Sequence, residues 1–323
     1  MALLSGIRTQ VLSWWQGTPL PGLPDAPCHF QAWHAFDDSS NSWRPIESTS
    51  NQAAPGHGHD GFRIVTWNVD ATSPLPQMRA GGIISRALGL SSAVDVVFLQ
   101  EVSQPALSFI LGDARIRQLW YSSDADTSKW GGQSFGTITL LSKRRFDRAA
   151  TLGPVWRVKY PSRFARDALC CDILAPPSSP EQGVVRVRLV NVHLDSLPIR
   201  PSHRPRQVSV IASLIRSAGH GLVAGDFNPV LPEDNSLVED RGLTDAWGQL
   251  HGQDPGFTWG LDGKQPFPPG RLDKIAAMGI QVEAIEIMHP EITTHIDASR
   301  NETTGPVPWS DHSGLWCHFS VSP

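Results

Sequence analysis

Short apolar runs that stop abruptly on a carboxylate, carboxamide or imidazole recur along this chain. Phe62 to Trp67 reads as a strand, Leu75 to Leu90 as a helix that tolerates Gly81-Gly82 near its start, and Val94 to Leu99 as a second buried strand. Thr137 to Leu141, Ala168 to Leu174 and Val184 to Val192 are further strands. The last alternates Val185, Val187 and Leu189 against Arg186 and Arg188, which predicts a sheet with one exposed face. Pro205 to Ala218 predicts a helix, with Pro205 in the first turn, Val208, Ile211, Leu214 and Ile215 on one face, and Gly219 to end it. A strand at Gly221 to Ala224, a helix near Leu243 to Leu250, strands at Leu272 to Ala277 and Val282 to Ile287, and a closing strand at Gly314 to Phe319 complete the pattern. Many short strands, some in hairpins and some followed by helices, fit two packed sheets flanked by helices better than a doubly wound parallel sheet.

Residues 1 to 60 break this pattern, being rich in Pro, Ser, Asn and Trp and closing on Pro55-Gly56-His57-Gly58-His59-Asp60. They are expected to form an N-terminal aromatic-containing extension to a catalytic domain at 61–323. Trp14, Trp15, Trp33 and Trp43 suggest that the extension docks on that domain, because disordered tails seldom carry aromatics. Met1 to Trp15 can form a short amphipathic helix with Leu4, Ile7, Val11 and Trp15 on one side. Arg8 and the missing cleavage site argue against a secretory signal, while the lack of acidic residues before Asp25 leaves a mitochondrial leader as the alternative.

Composition adds constraints. With 323 residues, 40% hydrophobic, the chain has no apolar run approaching the roughly 18 residues of a membrane span, so none is expected. A net charge of −4 supplies no global attraction to a polyanion, and any nucleic-acid contact must come from a local surface. Cys28, Cys170, Cys171 and Cys317 lack zinc spacing, and the side chains of the adjacent pair should point apart on a strand. Reduced thiols and an intracellular setting, nucleus or cytoplasm, follow as the expectation. No Gly-rich phosphate loop of the P-loop or dinucleotide type is present.

The polar run-ends carry the chemistry. Hydrolysing a phosphodiester requires neutralisation of the phosphate, activation of an in-line water and stabilisation of the departing oxygen. A hard divalent cation such as Mg²⁺ needs only one or two carboxylates and a carboxamide, and Glu101 and Asn68 are of those types. Asp226 and Asn228, two apart after an apolar run, can address one phosphate from a shared face, the Asp polarising a water and the Asn orienting it. His312 as an imidazolium can stabilise the transition state if a carboxylate holds it, and Asp273 is the candidate. Each motif alone is a common turn composition; their coincidence in one chain points to an enzyme.

In order, Thr66-Trp67-Asn68, Leu99-Gln100-Glu101, Asn191-Val192-His193-Leu194, Gly225-Asp226-Phe227-Asn228, Arg271-Leu272-Asp273 and Ser310-Asp311-His312 resemble the motifs of the endonuclease/exonuclease/phosphatase superfamily over about Phe62 to Phe319. The resemblance implies an α/β four-layer sandwich like that of pancreatic deoxyribonuclease I, with two mainly antiparallel sheets flanked by helices. It also implies Glu101 as principal Mg²⁺ ligand, Mn²⁺ being able to substitute, with Asn68 as ligand or orienting amide and Asp70 and Asp311 in or near the metal shell. Asp226 would polarise the water, Asn228 position it, His312 contact the phosphate, Asp273 orient His312, and His193 serve as a second phosphate contact or proton donor.

Within the superfamily the chain is most similar to 5′-tyrosyl-DNA phosphodiesterases, through Thr66 to Asp70, His193-Leu194-Asp195-Ser196, Phe257-Thr258-Trp259 and Arg163-Phe164-Ala165-Arg166. This implies Ser196, Trp259 and Arg166 as substrate contacts. The chain departs from those enzymes after Asn228, where Pro229-Val230-Leu231 replaces a basic residue, and after Asp70, where Ala71-Thr72 replaces Gly-Leu. The expected function is a Mg²⁺-dependent phosphodiesterase acting as a monomer on a nucleic-acid end, a 5′-phosphotyrosyl DNA linkage in particular. The alternatives are an abasic-site or general nuclease, a phosphatase on a small phosphorylated molecule, and, from another class, a noncatalytic binding module.

Overall fold

Strands buried on both faces read as nearly continuous apolar runs, and helices cover them only where one face is apolar at helical spacing. Both patterns are realised in the computed structural model, which describes residues 28–46, 61–146, 151–175, 185–265, 267–297 and 302–321. In chain order the strands are β1 (Cys28–Gln31), β2 (Trp33–Asp37), β3 (Ser42–Ile46), β4 (Phe62–Asn68), β5 (Val96–Ser103), β6 (Trp120–Ser122), β7 (Phe135–Ser142), β8 (Leu152–Lys159), β9 (Asp167–Ala175), β10 (Val185–His193), β11 (Gly221–Asp226), β12 (Thr244–Asp245), β13 (Asp273–Met278), β14 (Gln281–Met288), β15 (Ile292–Asp297), β16 (Glu302–Pro308) and β17 (Gly314–Ser320). The helices are α1 (Pro76–Leu88), α2 (Gln104–Gly112), α3 (Ala114–Leu119), α4 (Arg204–Ala218) and α5 (Ala246–His251).

One sheet has the order β1-β8-β9-β10-β11-β13-β12 and the other β14-β17-β4-β5-β7-β6-β2-β3; β15 and β16 form a separate ribbon. The pairs β10/β11 and β4/β5 are parallel and the other ladders antiparallel. Three apolar clusters separate four layers. Ile64, Phe98, Val187, Leu189, Leu222 and Ile275 meet between the sheets. Val208, Ile211, Leu214 and Ile215 of α4 cover the first sheet, and Ile83, Ile84, Leu107 and Ile110 of α1 and α2 cover the second. The expected α/β/β/α sandwich is therefore the fold. Cys170 and Cys171 face different clusters, as strand alternation requires, and both are unpaired thiols.

The predicted exposed face of β10 is instead covered. Arg188 is fully buried, donates to both oxygens of Asp172 at 2.8 and 2.9 Å and to the Leu214 carbonyl at 2.9 Å, and lies over the Trp156 ring. Alternation of Val with Arg marks exposure only when no carboxylate and helix wait on the polar side, and here Asp172 of β9 and α4 supply both.

Strands β1, β2 and β3 lie within the segment read as an extension. β1 pairs with β8 at the edge of the first sheet, and β2 pairs with β3 and β6 at the edge of the second. Trp33 is buried, with its indole N–H on the Gly153 carbonyl, and Trp43 donates to the Leu111 carbonyl. The helix expected over Met1 to Trp15, with Trp14 and Trp15, lies outside the described residues. Among the described residues no helix is long and apolar enough to cross a membrane.

One buried ion cluster fixes the approach to β13. Asp245 at the start of α5 accepts the Trp247 and Gly248 amides, Arg271 at 2.6 Å and the Lys274 ammonium at 3.1 Å. Burial alone would raise its carboxyl, but the Arg271 hydrogen bond and the Lys274 charge override this and hold it down at about 2. The folded value lies below the unfolded one, so its stabilisation is complete above roughly pH 4 and fades as pH falls through the folded value. Asp245→Asn should therefore destabilise the protein by about 2 kcal/mol at neutral pH. Urea unfolding of variant and wild type should show that difference shrinking toward acid; an undiminished difference at low pH would mean that the carboxylate charge is not its source, since Asn keeps an oxygen to cap the helix.

Candidate active site

The register of the two parallel pairs delivers the polar run-ends to one place. Asn68 closes β4 opposite Gln100 of β5, and His193 closes β10 opposite Asp226, which closes β11 and itself faces Asp273 at the start of β13. Gly225 precedes Asp226 at φ 140, and a Cβ there would stand 2.0 Å from the Val192 carbonyl oxygen, so only glycine lets β11 end this close to β10. Glu101 follows Gln100 at φ 54, where the β5/β7 ladder slips, which turns its carboxylate off the sheet toward Asp226. Asn228 at φ 46 and Asp70 at φ 53 also hold left-handed backbone. Such conformations cost of order 1 kcal/mol or more each in a non-glycine residue and concentrate where side chains must be aimed.

Behind the site the sheets are tied by buried amides. Gln100 donates to the Thr66 hydroxyl at 3.0 Å and to the Asn191 carboxamide oxygen at 2.8 Å, while Asn191 donates to the Ile138 carbonyl at 2.8 Å. Ser310 donates to the Asn68 carbonyl at 2.6 Å, and the Trp67 indole donates to the His312 carbonyl at 3.0 Å. Thr258 donates to Asp273 at 2.7 Å and accepts the Leu272 and Asp273 amides. Sequence reasoning assigned no role to Thr258, Ser310 or Asn191. Small polar residues near turns look alike until their long-range partners are known.

Around this frame the charged groups converge. The Asn68 amide nitrogen donates to Glu101 at 3.2 Å and Asp226 at 3.0 Å. The His193 Nε2 lies 3.7 Å from Glu101 and 3.5 Å from Asp226. Glu101, His193 and Asp226 each present a ligand atom, all within 4.8 Å of one another. Two carboxylates facing one another at this separation, and a buried imidazole with neither nitrogen hydrogen bonded, make a donor set that fits a divalent cation. The Asn68 oxygen accepts the Asp70 amide, so in this arrangement the carboxamide braces the two carboxylates through its nitrogen.

His312 stands 4.0 Å from Asp226 and shares a 2.7 Å hydrogen bond between its Nδ1 and Asp273. Burial would lower His312, but the charge and hydrogen bond of Asp273, with Asp226 and Asp311 adding, push it up to about 10, so it is an imidazolium at neutral pH. Burial raises Asp226 to about 7, with Asp273 and Glu101 acting in the same direction against the His312 cation. His193 moves the other way: burial, then the Arg166 and His312 charges, hold it well below the ordinary histidine range and keep it neutral.

Of the residues singled out in the sequence, Asn68, Glu101, His193, Asp226, Asn228, Asp273 and His312 come together. The Asn228 backbone N–H donates to Asp226 at 2.9 Å, and its side-chain nitrogen lies 3.4 Å from the Leu194 carbonyl. Asp70 and Asp311 are engaged elsewhere: Asp70 accepts the Thr72 hydroxyl and the Thr72 and Ser73 amides, and Asp311 accepts the Trp259 indole at 2.9 Å. Neither belongs to the cluster of possible metal ligands. Ser196 and Trp259 line a cavity of about 440 Å³ that opens from Glu101, Asp226, Asn228 and His312. Arg166 reaches the Ser196 hydroxyl at 3.4 Å and lies over the Phe135 ring beside His193, in a smaller cleft with Trp130 and Phe164.

A family model described as Endonuclease/Exonuclease/phosphatase family matches residues 65–312 of this chain. Two structures of TDP2 from D. rerio, one humanized by 14 mutations and one complexed with single strand DNA product, superpose with TM-scores of 0.60 and 0.59 at 22% identity; each match covers 80% of this chain and 98% of theirs. Truncated TDP2 from Caenorhabditis elegans superposes with a TM-score of 0.53 at 22% identity, covering 80% of this chain and 97% of that one. A sequence search of curated proteins finds no match.

The His312–Asp273 pair predicts a pH signature. His312 stays cationic until about pH 10 because Asp273 holds the proton on it. In Asp273→Asn the largest raising influence is lost while Asp226 and Asp311 remain, and the imidazole should deprotonate much nearer its ordinary value of roughly 6.5. The alkaline limb of kcat/KM should then move down by several pH units. An alkaline limb that stays in place would show that another group titrates.

Proposed function

The chain belongs to the endonuclease/exonuclease/phosphatase family, and on that premise we propose that it is a divalent-metal-dependent phosphodiesterase acting on a nucleic-acid end, with a 5′-phosphotyrosyl DNA linkage as the foremost candidate. The observation that carries this reading is the juxtaposition, at one mouth, of the Glu101/His193/Asp226 cluster with the His312–Asp273 pair. It supplies a cation site, a base and a buried positive charge within a few ångströms. The D. rerio TDP2 structure complexed with single strand DNA product supports a nucleic-acid substrate.

Glu101 and Asp226, with the neutral His193 nitrogen beside them, would hold the metal, and the choice of oxygen donors favours Mg²⁺ or Mn²⁺. When bound, the ion supplies positive charge to the phosphoryl oxygens. Through the oxygen not given to the metal, Asp226 can accept a proton from the attacking water. Asn228 is two residues away on the same turn, placed to orient that water. His312, fixed by Asp273, presents its cation to the phosphate as negative charge accumulates there. Arg166 sits near the same carboxylates: burial lowers its guanidinium, the Glu101 and Asp226 charges offset part of that, and its positive charge is available to the phosphate. Asp70 and Asp311 act in this reading as loop-forming groups, and the Trp259 ring forms part of the substrate wall.

Purified protein incubated with 5′-tyrosyl oligonucleotide, abasic duplex, single-stranded RNA, sphingomyelin and a phosphoinositide should turn over the tyrosyl ester fastest, and a chelator should abolish the reaction. No hydrolysis of any diester or monoester with Mg²⁺ would sink the enzymatic reading. Asp226→Asn should cut kcat by about 10² or more. Glu101→Gln should weaken Mn²⁺ binding measured by calorimetry; an Asp226→Asn variant with intact kcat would remove the water-activating role.

A further inference from the structure

The 440 Å³ cavity beyond the catalytic groups has a wall of one character. Leu197, Pro198, Val230, Trp259, Phe267 and Pro269 form most of it, Ser196 contributes a hydroxyl, and no lysine or arginine lines it among the described residues. Leu197, Val230 and Phe267 are 53%, 38% and 55% exposed, so the rim holds apolar surface open to water rather than packing it away. Leu197 does so at φ 66, with the buried Arg204 donating to its carbonyl.

Most cations on the loops around this wall are engaged with carboxylates, and Arg166, which feels the charges of Glu101 and Asp226, reaches the wall only at its catalytic end, at 3.4 Å from the Ser196 hydroxyl. Arg204 pairs with Asp234 at 2.8 Å, Arg271 and Lys274 with Asp245, Arg200 with Glu233 at 3.6 Å and Lys264 with Asp262 at 3.5 Å. A strand running from the scissile phosphate through this cavity would lay its next phosphate on leucine, proline and phenylalanine. Affinity for a polynucleotide comes largely from lysine and arginine at successive phosphates, and each such contact shows itself as salt dependence.

Resting on the phosphodiesterase reading, we infer that the site grips a single phosphate together with one uncharged, flat or apolar group of about nucleoside size, and makes no ionic contact with a second phosphate. The cavity volume is toward the low end of the roughly 300–1,000 Å³ of ligand pockets. The substrate class is therefore a nucleotide-sized phosphodiester, whether free or at the end of a chain, and the polymer beyond the first unit adds nothing to recognition.

The test compares the p-nitrophenyl ester of thymidine 5′-monophosphate with 5′-p-nitrophenylphosphoryl oligothymidylates of increasing length, at constant Mg²⁺ and graded potassium chloride. The expected kcat/KM is the same within about twofold at every length, with a salt slope that does not change with length, since each additional neutralised phosphate would add about −0.7 on a single strand. Phe267→Ser should raise KM for the thymidine ester about tenfold, as loss of an apolar contact does, and leave that for methyl p-nitrophenyl phosphate unaltered. Rising kcat/KM and steepening salt dependence with length would overturn the inference, as would equal KM changes for the two esters or faster hydrolysis of sphingomyelin vesicles. If no ester turns over, the phosphodiesterase reading fails separately. Calorimetric binding of 5′-phosphorylated oligothymidylates then carries the same length and salt comparison, with length-dependent affinity overturning the inference.

Discussion

Everything at the active site depends on two parallel strand pairs ending in register against one another. The β4/β5 pair belongs to one sheet and β10/β11 to the other, so their ends can share a site only if the sheets keep a fixed offset. Apolar packing between sheets is non-directional and tolerates sliding. The Thr66–Gln100–Asn191 bridge does not: a displaced sheet would leave buried amides unpaired, at about 1–3 kcal/mol for each group. Gln100 and Asn191 thus set the distance across which Asn68 braces Asp226 and His193 approaches Glu101.

The same offset governs the charge balance. Glu101, Asp226 and Asp273 crowd a site where Asp226 and Asp273 are almost wholly buried, and their mutual repulsion must be offset. His312 offsets part of it as a buried cation, which is why it holds its proton far above the ordinary range, and Arg166 contributes from the other side. His193 receives the opposite influence from those cations and stays neutral. Two histidines in one pocket therefore take different charges because one meets a carboxylate at 2.7 Å through Nδ1 and the other has no hydrogen-bond partner on either nitrogen. The His312 and Arg166 cations offset the carboxylate charge only in part, the physical reason for expecting a metal between Glu101 and Asp226.

Legibility in the sequence followed this hierarchy. The central strands could be read because two-sided burial forces continuous apolar runs, and the residues closing them, Asn68, Glu101, His193 and Asp226, are the ones that converge. Strands β1 to β3 were not legible: β1 and β3 are edge strands with one partner, β3 carries Ser, Arg and Pro, and β2 meets β6 at a single residue pair. Helix α2, with Pro105 in its first turn, buries Ala106, Leu107, Ile110 and Leu111 on one face, but the exposed Phe109 blurs that stripe in the sequence. Asp70 and Asp311 show what motif reasoning leaves out: the partners they have here, the hydroxyl of Thr72 and the indole of Trp259, cannot be read from the motifs that contain them. Arg188 shows the limit of alternation, because a buried carboxylate on a neighbouring strand cannot be read from the strand itself.

Chemistry and recognition are consequently built from different materials. The reacting groups stand on strand ends locked by backbone register and buried amides, where a shift of register would remove all of them together. The wall of the adjoining cavity is made by loops whose apolar side chains stand at the surface and contribute little to the core. If this wall holds the group beside the phosphate, as we infer, substituting Pro229-Val230 or Phe267 alters what is held and leaves the reacting groups in place. A fold arranged this way can keep one hydrolytic centre while changing the group beside the phosphate, and the apolar wall here is one setting of that variable part.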